Sequence, residues 1–452
     1  MPFIIAIVLL VIVSLLLHFL TPWYLTPIAS NWGSIDDTIN ITFWVTGFVF
    51  VVVNLFMAYA VYRFRYSKAR RAKYEPENKK LEIWLTLATS VGVASMLAPG
   101  LFVWADFVQV PEEAHEVEAL GQQWQWSFRY PGADGVMGAA DAEHITPENP
   151  FGMVEDDPAG RDDILVAGQE MHLPVDRPVK MLLRSKDVLH DYAVAQFRVK
   201  MDLVPGSVTY MWLTPTVTGT YDILCEELCG LGHHVMRGRV IVEDAAAYDA
   251  WLATQPTFAQ TQQQVAGDPA QGQAMYAVCA ACHGANGEGN VALNAPRLAG
   301  QEDWYMRRQL NYFKAGVRGS HPQDVYGAQM RPMASTLATD AMVANVAAYI
   351  ESLPAPAVQD TISGDVANGR KLFEPTCGVC HSPQGEGIWA VNAPKLAGMN
   401  DWYLARQLQN FKSGVRGTHP DDEYGFQMTS MVQALADDEA INDVVAYINT
   451  LE

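Results

Sequence analysis

The sequence predicts a multi-domain membrane protein: an anchor of transmembrane helices, a β-sandwich, and two tandem all-α domains. Three observations carry this. Three long apolar runs lie within the first 110 of 452 residues. Short β-rich runs broken by Pro and Gly follow, as far as about residue 243. From about residue 268 the chain repeats itself at an offset of 98 residues.

The anchor, 1–106, contains spans expected at 3–21, 41–63 and 82–104. Ile41–Val61 and Ile83–Val103 are each long enough for the hydrocarbon core at a rise of about 1.5 Å per residue. Both are apolar around the whole helix, which a soluble protein would not present. The first run, Phe3–Phe19, could be a signal h-region. Only Met1 and Pro2 precede it and LTPWYLTP follows, without a basic start or a small-residue cleavage site, so a retained helix is expected and cleavage is the alternative. Between Arg63 and Lys80 the loop carries +6, which marks its side as cytoplasmic and sends everything after about Asp106 outside. Since the whole chain carries −20, the rest carries −26, which argues against a nucleic-acid partner. Glu82 opens the third span, either as a plain helix N-terminal charge or with a role of its own.

Residues 107–245 should form the sandwich, antiparallel, with runs such as QQWQWSFRY, PVKMLLRS and SVTYMWLTP as strands and functional groups on loops at one end. Trp124 and Trp126 alternate with Gln123 and Gln125, placing both rings on one face. Between Pro131 and Asp163 an acid-rich insertion contains Glu155–Asp157 and Asp162–Asp163. It reads as a mobile surface excursion or as a docking element for a basic donor.

The densest chemistry is in YDILCEELCGLGHHVM, Tyr221–Met236. Cys225 and Cys229 are four apart, His233 four beyond, and Met236 three beyond that. A mononuclear copper site needs one thiolate. Two side by side suit a pair of copper ions bridged by sulfur, each finished by an imidazole, and KDVLHDYAV upstream offers His190 for the second. Two Cys and two His also make a zinc set, but zinc would not need Met236 and the spacing is not that of a zinc finger.

After an expected linker at 246–267, the repeat units are 268–354 and 362–452. CAACH at Cys279–His283 recurs as CGVCH at Cys377–His381. NAPRLAG recurs as NAPKLAG, and DWYMRRQLNYFKAGVRGSHP as DWYLARQLQNFKSGVRGTHP. CxxCH is the attachment signature of c-type haem: Cys279, Cys282, Cys377 and Cys380 for the vinyls, His283 and His381 for iron. With all six cysteines so used, no disulfide is expected. Each unit offers two methionines as a sixth ligand, Met330 or Met333 and Met428 or Met431. Arg318 and Arg416, in GVRG, would meet haem propionates or form surface ion pairs.

The pieces DVLH, CEELCGLGHHVM and QWQW resemble subunit II of haem-copper cytochrome c oxidases, over roughly residues 35–245. The resemblance implies a cupredoxin-like sandwich holding dinuclear CuA. In it Cys225 and Cys229 bridge, His190, His233 and Met236 terminate, and the Glu227 carbonyl completes the set. It also implies Mg2+ at the subunit I interface through the Glu227 carboxylate, Trp124 as the point where electrons reach CuA, and Glu82 near a proton pathway. Gln125 stands where that family commonly has Tyr. The repeats resemble class I cytochromes c of the two-haem c4 kind, in which the ligand methionine lies seven residues before a leucine. Leu337 and Leu435 then select Met330 and Met428.

The resemblance further implies a bacterial inner-membrane, multi-pass subunit with its copper and haem domains on the periplasmic side. Its partners would be subunit I with haem a and a haem–CuB site, subunit III, the bilayer, and cytochrome c or a quinol-oxidising complex as donor. The activity of the complex would be reduction of oxygen to water with proton pumping, and this chain would supply electron transfer only. A CuA-containing nitric oxide reductase and a free-standing membrane electron carrier are the alternatives.

Overall fold

Three N-terminal helices leave apolar side chains exposed around their whole circumference, as a lipid environment requires. The computed structural model describes residues 2–21, 25–68, 71, 74, 76–146, 149–167, 170–262, 266–355 and 359–451. Pro22–Tyr24 of LTPWYLTP, Arg70, Lys73 and Glu75 of the basic loop, and 263–265 of the expected linker lie outside the described residues. Helices α1 (Pro2–Leu20), α2 (Gly33–Arg63) and α3 (Lys79–Val108) are all long and apolar enough to cross a membrane. The last two outrun the spans expected at 41–63 and 82–104. With 31 and 30 residues they are about 45 Å long, against a hydrocarbon core of about 30 Å. Their extra turns are pinned to the sandwich. Arg198 Nε donates to Asp36 Oδ1 at 2.6 Å, Trp32 Nε1 to the Trp212 carbonyl at 3.0 Å, and Trp212 Nε1 to the Asp106 carbonyl at 3.1 Å. Glu82 is exposed in the first turn of α3, at the end opposite that attachment.

The sandwich strands are β1 (His115–Gln122), β2 (Gln125–Tyr130), β3 (Ile164–Ala167), β4 (Glu170–Pro174), β5 (Val179–Ser185), β6 (His190–Val194), β7 (Val199–Leu203), β8 (Thr209–Leu213), β9 (Gly219–Leu224) and β10 (Arg237–Glu243). They form two sheets, β3-β2-β1-β5-β8 and β4-β10-β9-β6-β7. The expected all-antiparallel pairing is corrected: β1 runs parallel to β5, and β10 parallel to β4. The chain crosses to the second sheet at β4 before it returns, so β5 arrives in the direction of β1. Alternate residues Val179, Met181 and Leu183 of β5 are fully buried against Leu203, Ile223 and Val240 of the other sheet.

In its described residues the insertion 131–163 is packed against the sandwich and is not a mobile excursion. Its last residue, Asp163, is fully buried, and Asp163 Oδ2 accepts from Arg129 Nε at 2.9 Å. Arg129 Nη1 also donates to Glu118 at 3.1 Å, and Arg184 Nη2 to the Phe151 carbonyl at 3.1 Å. Phe151 and Met153 join Leu120 and Phe258 in a small separate core. The stretch expected as a linker is likewise largely folded. Helices α4 (Ala245–Thr254) and α5 (Phe258–Thr261) lie on the sandwich, with Trp251 stacked on His172 at 3.9 Å between ring centroids.

The main elements of both repeats are helices. The first comprises α6 (Pro269–His283), α7 (Asp303–Ala315), α8 (Val325–Ser335) and α9 (Asp340–Ser352). The second comprises α10 (Val366–Thr376), α11 (Gly378–His381), α12 (Asp401–Lys412), α13 (Glu423–Met431) and α14 (Asp438–Ile448). Each has its own core, around Tyr276, Leu310 and Val346 in one and Phe373, Leu404 and Val444 in the other.

Candidate metal centre and haem cavities

Neighbouring strands β9 and β10 are joined by the loop from Cys225 to Met236, and β6, which pairs with β9, begins at His190. That topology brings the loop and the upstream histidine together. The Sγ atoms of Cys225 and Cys229 are 3.7 Å apart. Cys225 Sγ lies 3.9 Å from His190 Nδ1 and 3.2 Å from the Glu227 carbonyl oxygen. Cys229 Sγ lies 3.5 Å from His233 Nδ1 and 3.8 Å from Met236 Sδ. Both thiols are buried. Burying two in contact drives their proton affinities apart: the hydrogen bond from Cys229 pulls Cys225 down, and the same contact with burial holds Cys229 up. Two soft thiolates, two imidazoles, a thioether and a carbonyl exceed what one tetrahedral zinc ion uses and fit a sulfur-bridged pair of coppers.

The surroundings orient these groups. Asp187 was not singled out in the sequence, although it lies in the quoted KDVLH. Its Oδ1 sits 2.8 Å from His190 Nε2, so the ring carries its proton there and leaves Nδ1 facing Cys225. Burial works to lower the His190 pKa, but the Asp187 and Cys225 contacts outweigh it and raise it. Trp124 is buried against the loop, donating from Nε1 to the Cys229 carbonyl at 3.1 Å, and Gln123 Nε2 donates to the same oxygen at 2.7 Å. The carboxylate-bearing Glu227 is half-buried at the surface of this loop.

A continuous cavity is lined by both CxxCH motifs and reaches Trp124. His283 Nδ1 donates to the Pro296 carbonyl and His381 Nδ1 to the Pro394 carbonyl, each at 2.7 Å, so Nε2 of each ring is left as the ligand atom. Burial lowers the pKa of both imidazoles, against the opposing pull of those carbonyls. Met330 and Met428 pack with the cores of their domains. Met333 is 37% exposed, while Met431 packs against the core of the sandwich.

Arg318 and Arg416 are not surface ion pairs. Arg318 donates to Gln309 of its own repeat at 2.7 Å and to Tyr403 of the other at 2.7 Å. Arg416 mirrors it, donating to Gln407 at 2.7 Å and to Tyr305 at 3.3 Å. The Nε atom of each guanidinium is buried without a partner on the wall of this cavity. Two orphaned cationic donors, beside paired thiols and a buried imidazole in an apolar hollow, fit a tetrapyrrole bearing carboxylates.

The second repeat is seated on the sandwich. Gln427 Nε2 donates to Gln125 Oε1 at 2.6 Å, which gives a partner to the residue that departs from the common Tyr. Cys380 lies close enough to Asp187 to feel its charge. Burial first, and then that carboxylate, push the Cys380 thiol up to about 11.

Comparison with known proteins agrees with this layout. The profile of the cytochrome c oxidase subunit II periplasmic domain matches residues 115–244, and that of cytochrome c matches 269–354 and 366–452. The chain is 61% identical over 246 residues to the alternative cytochrome c oxidase subunit 2 of Bradyrhizobium diazoefficiens, covering 54% of this chain and 89% of that one. It is 31% identical to cytochrome c oxidase subunit 2 of Cereibacter sphaeroides, over 46% of this chain and 74% of that one. Its C-terminal part is 37% identical to cytochrome c4 of Azotobacter vinelandii, over 35% of this chain and 78% of that one. The sandwich is thus of the CuA-bearing kind, the repeats are of the haem c kind, and the apolar helices anchor periplasmic domains that associate with other oxidase subunits. The chain belongs to the cytochrome c oxidase subunit II family and is an electron-transfer subunit of a haem-copper terminal oxidase, extended by two cytochrome c domains of the c4 type.

Proposed function

We propose that this subunit takes electrons from cytochrome c, passes them through its own two cytochrome domains to the copper domain, and delivers them to a catalytic subunit I that reduces oxygen to water and pumps protons. The observation that carries this is the seating of the second repeat on the sandwich, with Trp124 on the wall of the cavity that holds both CxxCH motifs. Copper and haem, when bound, supply one-electron carriers. The chain supplies their fixed surroundings.

Cys225, Cys229, His190, His233, Met236 and the Glu227 carbonyl would hold the copper. Asp187 fixes the tautomer of His190. Trp124 and Gln123 clamp the Cys229 carbonyl, so the ligand loop has little freedom to relax when its charge changes. Cys279, Cys282, His283 and Met330 would hold one haem and Cys377, Cys380, His381 and Met428 another, with Arg318 and Arg416 meeting their carboxylates. The Glu227 carboxylate would hold Mg2+ at the subunit I interface, and Glu82 would serve proton uptake at the opposite membrane face. Subunit III and the bacterial inner membrane complete the assembly, with three retained spans in this chain.

The test is purification of the native complex through this subunit, followed by oxygen and nitric oxide turnover. A large polytopic partner and oxygen-dependent oxidation of reduced cytochrome c are expected. Nitric oxide reduction without oxygen reduction would overturn the oxidase reading, and recovery of the chain alone would make it a free-standing carrier.

A further inference from the structure

Between α3 and β1 the chain forms a strap, residues 108–114, and a groove of about 510 Å³ lies between this strap and the strands β5 and β8. That is the size of a small-ligand site. Its strand residues Lys180 and Leu182 alternate with the buried Val179, Met181 and Leu183, so the groove is on the outer face of the sheet, away from copper and haem. The geometry fixes its depth relative to the bilayer. The apolar run of α3 ends at Val103, and the exposed indole of Trp104 follows, as at a membrane interface. Asp106 is three residues beyond Val103, about 4.5 Å at the helical rise. Its carbonyl accepts from Trp212 Nε1 at 3.1 Å, and Lys180 is the cross-strand partner of Trp212. Headgroups occupy about 5–8 Å beyond the hydrocarbon on each side, so Lys180 stands in that layer. Its ammonium donates to Glu116 Oε1 at 2.7 Å, and Glu112 on the strap is exposed at the same groove. Leu182, Val208 and Tyr210 complete the wall, the last two exposed.

We propose that this groove binds the headgroup of a zwitterionic phospholipid with a primary amine, phosphatidylethanolamine, from the periplasmic leaflet. Lys180 meets the phosphate. The lipid ammonium donates to Glu112 and Glu116 and lies against the Tyr210 ring, while Leu182 and Val208 cover the methylene groups between the two charges. The charge of the groove selects this headgroup. One ammonium and two carboxylates repel a purely anionic lipid, and a choline headgroup has no N–H to donate to either carboxylate. Because the strap is the joint between α3 and β1, a lipid held beneath it braces the sandwich on its anchor. The site depends on membrane anchoring alone and not on the electron path proposed above.

The test uses the full-length holo-subunit in detergent, titrated with phosphatidylethanolamine, phosphatidylcholine or phosphatidylglycerol of the same acyl chains, with bound lipid counted by native mass spectrometry. One phosphatidylethanolamine per chain should be held about tenfold more tightly than either of the others. The double variant Glu112→Gln, Glu116→Gln should lose the preference over phosphatidylcholine, and Lys180→Gln should weaken both zwitterionic lipids. Leu182→Trp fills the groove and should abolish the retained lipid. The haem absorption of each variant reports whether it has folded, and Lys180→Gln keeps the test open if Leu182→Trp has not. Equal retention of the three lipids, or an unchanged preference in the double variant, would overturn the assignment. In the native oxidase complex, Val208→Cys should react with a maleimide after delipidation and be protected again by added phosphatidylethanolamine. Protection that survives delipidation would mean that another protein chain fills the groove, and the lipid assignment would be wrong.

Discussion

Replacing Asp187 should loosen copper without touching a single ligand. Its carboxylate accepts three hydrogen bonds, from Gln123 N at 2.7 Å, Val188 N at 2.7 Å and His190 Nε2 at 2.8 Å. Asn offers one oxygen. Placed where Oδ1 is, it keeps Val188 and His190 but turns an amide N–H towards that of Gln123. Placed where Oδ2 is, it abandons both of the others. Even the better orientation exchanges a charge-assisted bond to the ligand imidazole for a neutral one, roughly half as strong. Loss of such a support typically lowers metal affinity about 10- to 100-fold, or about 1.4–2.7 kcal/mol. Asp187→Asn should fall at the low end of that range and Asp187→Ala at the high end, because Ala also frees the ring to rotate. Chelator competition on the full-length subunit measures the affinity, and the integrated spin-resonance signal of the mixed-valence copper pair counts occupied sites. Wild-type copper affinity in both variants would refute the argument, since the His190 tautomer would then be set by something other than this carboxylate.

Three further outcomes follow from the same geometry. Gly232→Ala places a methyl well inside contact distance of the Trp124 indole, and should destabilise the copper domain by about 1–3 kcal/mol in urea titration while retarding internal haem-to-copper transfer. Arg129→Met strands the buried carboxylate of Asp163, leaves Glu118 with Arg184 alone, and should cost about 3–5 kcal/mol. Adding Glu118→Gln and Asp163→Asn should restore much of that, and no recovery would mean that packing, not charge, holds the insertion. His115, 3.1 Å from the Tyr248 hydroxyl, has its pKa lowered to about 4, chiefly by burial and then by Arg177. An unfolded His binds its proton near 6.5, so the stabilisation is complete above that pH and is lost as pH falls towards 4, by about 3 kcal/mol at most. In His115→Phe the acid-induced loss over this window should shrink by that amount, and an unchanged slope in thermal melts at successive pH values would refute it.

The candidate metal site was legible because its chemistry is local. A two-thiolate loop needs its donors within one turn of chain, and the spacing of Cys225, Cys229, His233 and Met236 records that need. His190 was also within reach, because the two-thiolate loop lacked a second imidazole and DVLH upstream resembles the family motif. Asp187 was not: an aspartate three residues before a histidine is common, and only the fold shows that one carboxylate spans Gln123, Val188 and His190. The same limit explains the insertion. QWSFRY reads as an alternating strand, yet all of β2 is buried, because Arg129 is neutralised by Glu118 from one direction and Asp163 from another. Alternation reports one buried face and fails where a second layer covers the other.

The cytochrome repeats show a different limit. Period and motif establish that Arg318 and Arg416 must do equivalent things, but not that each reaches into the other domain. That depends on a two-fold relation between the units, which a linear repeat does not encode. The interface is reciprocal: Arg318 meets Tyr403 and Gln407, and Arg416 meets Tyr305 and Gln309.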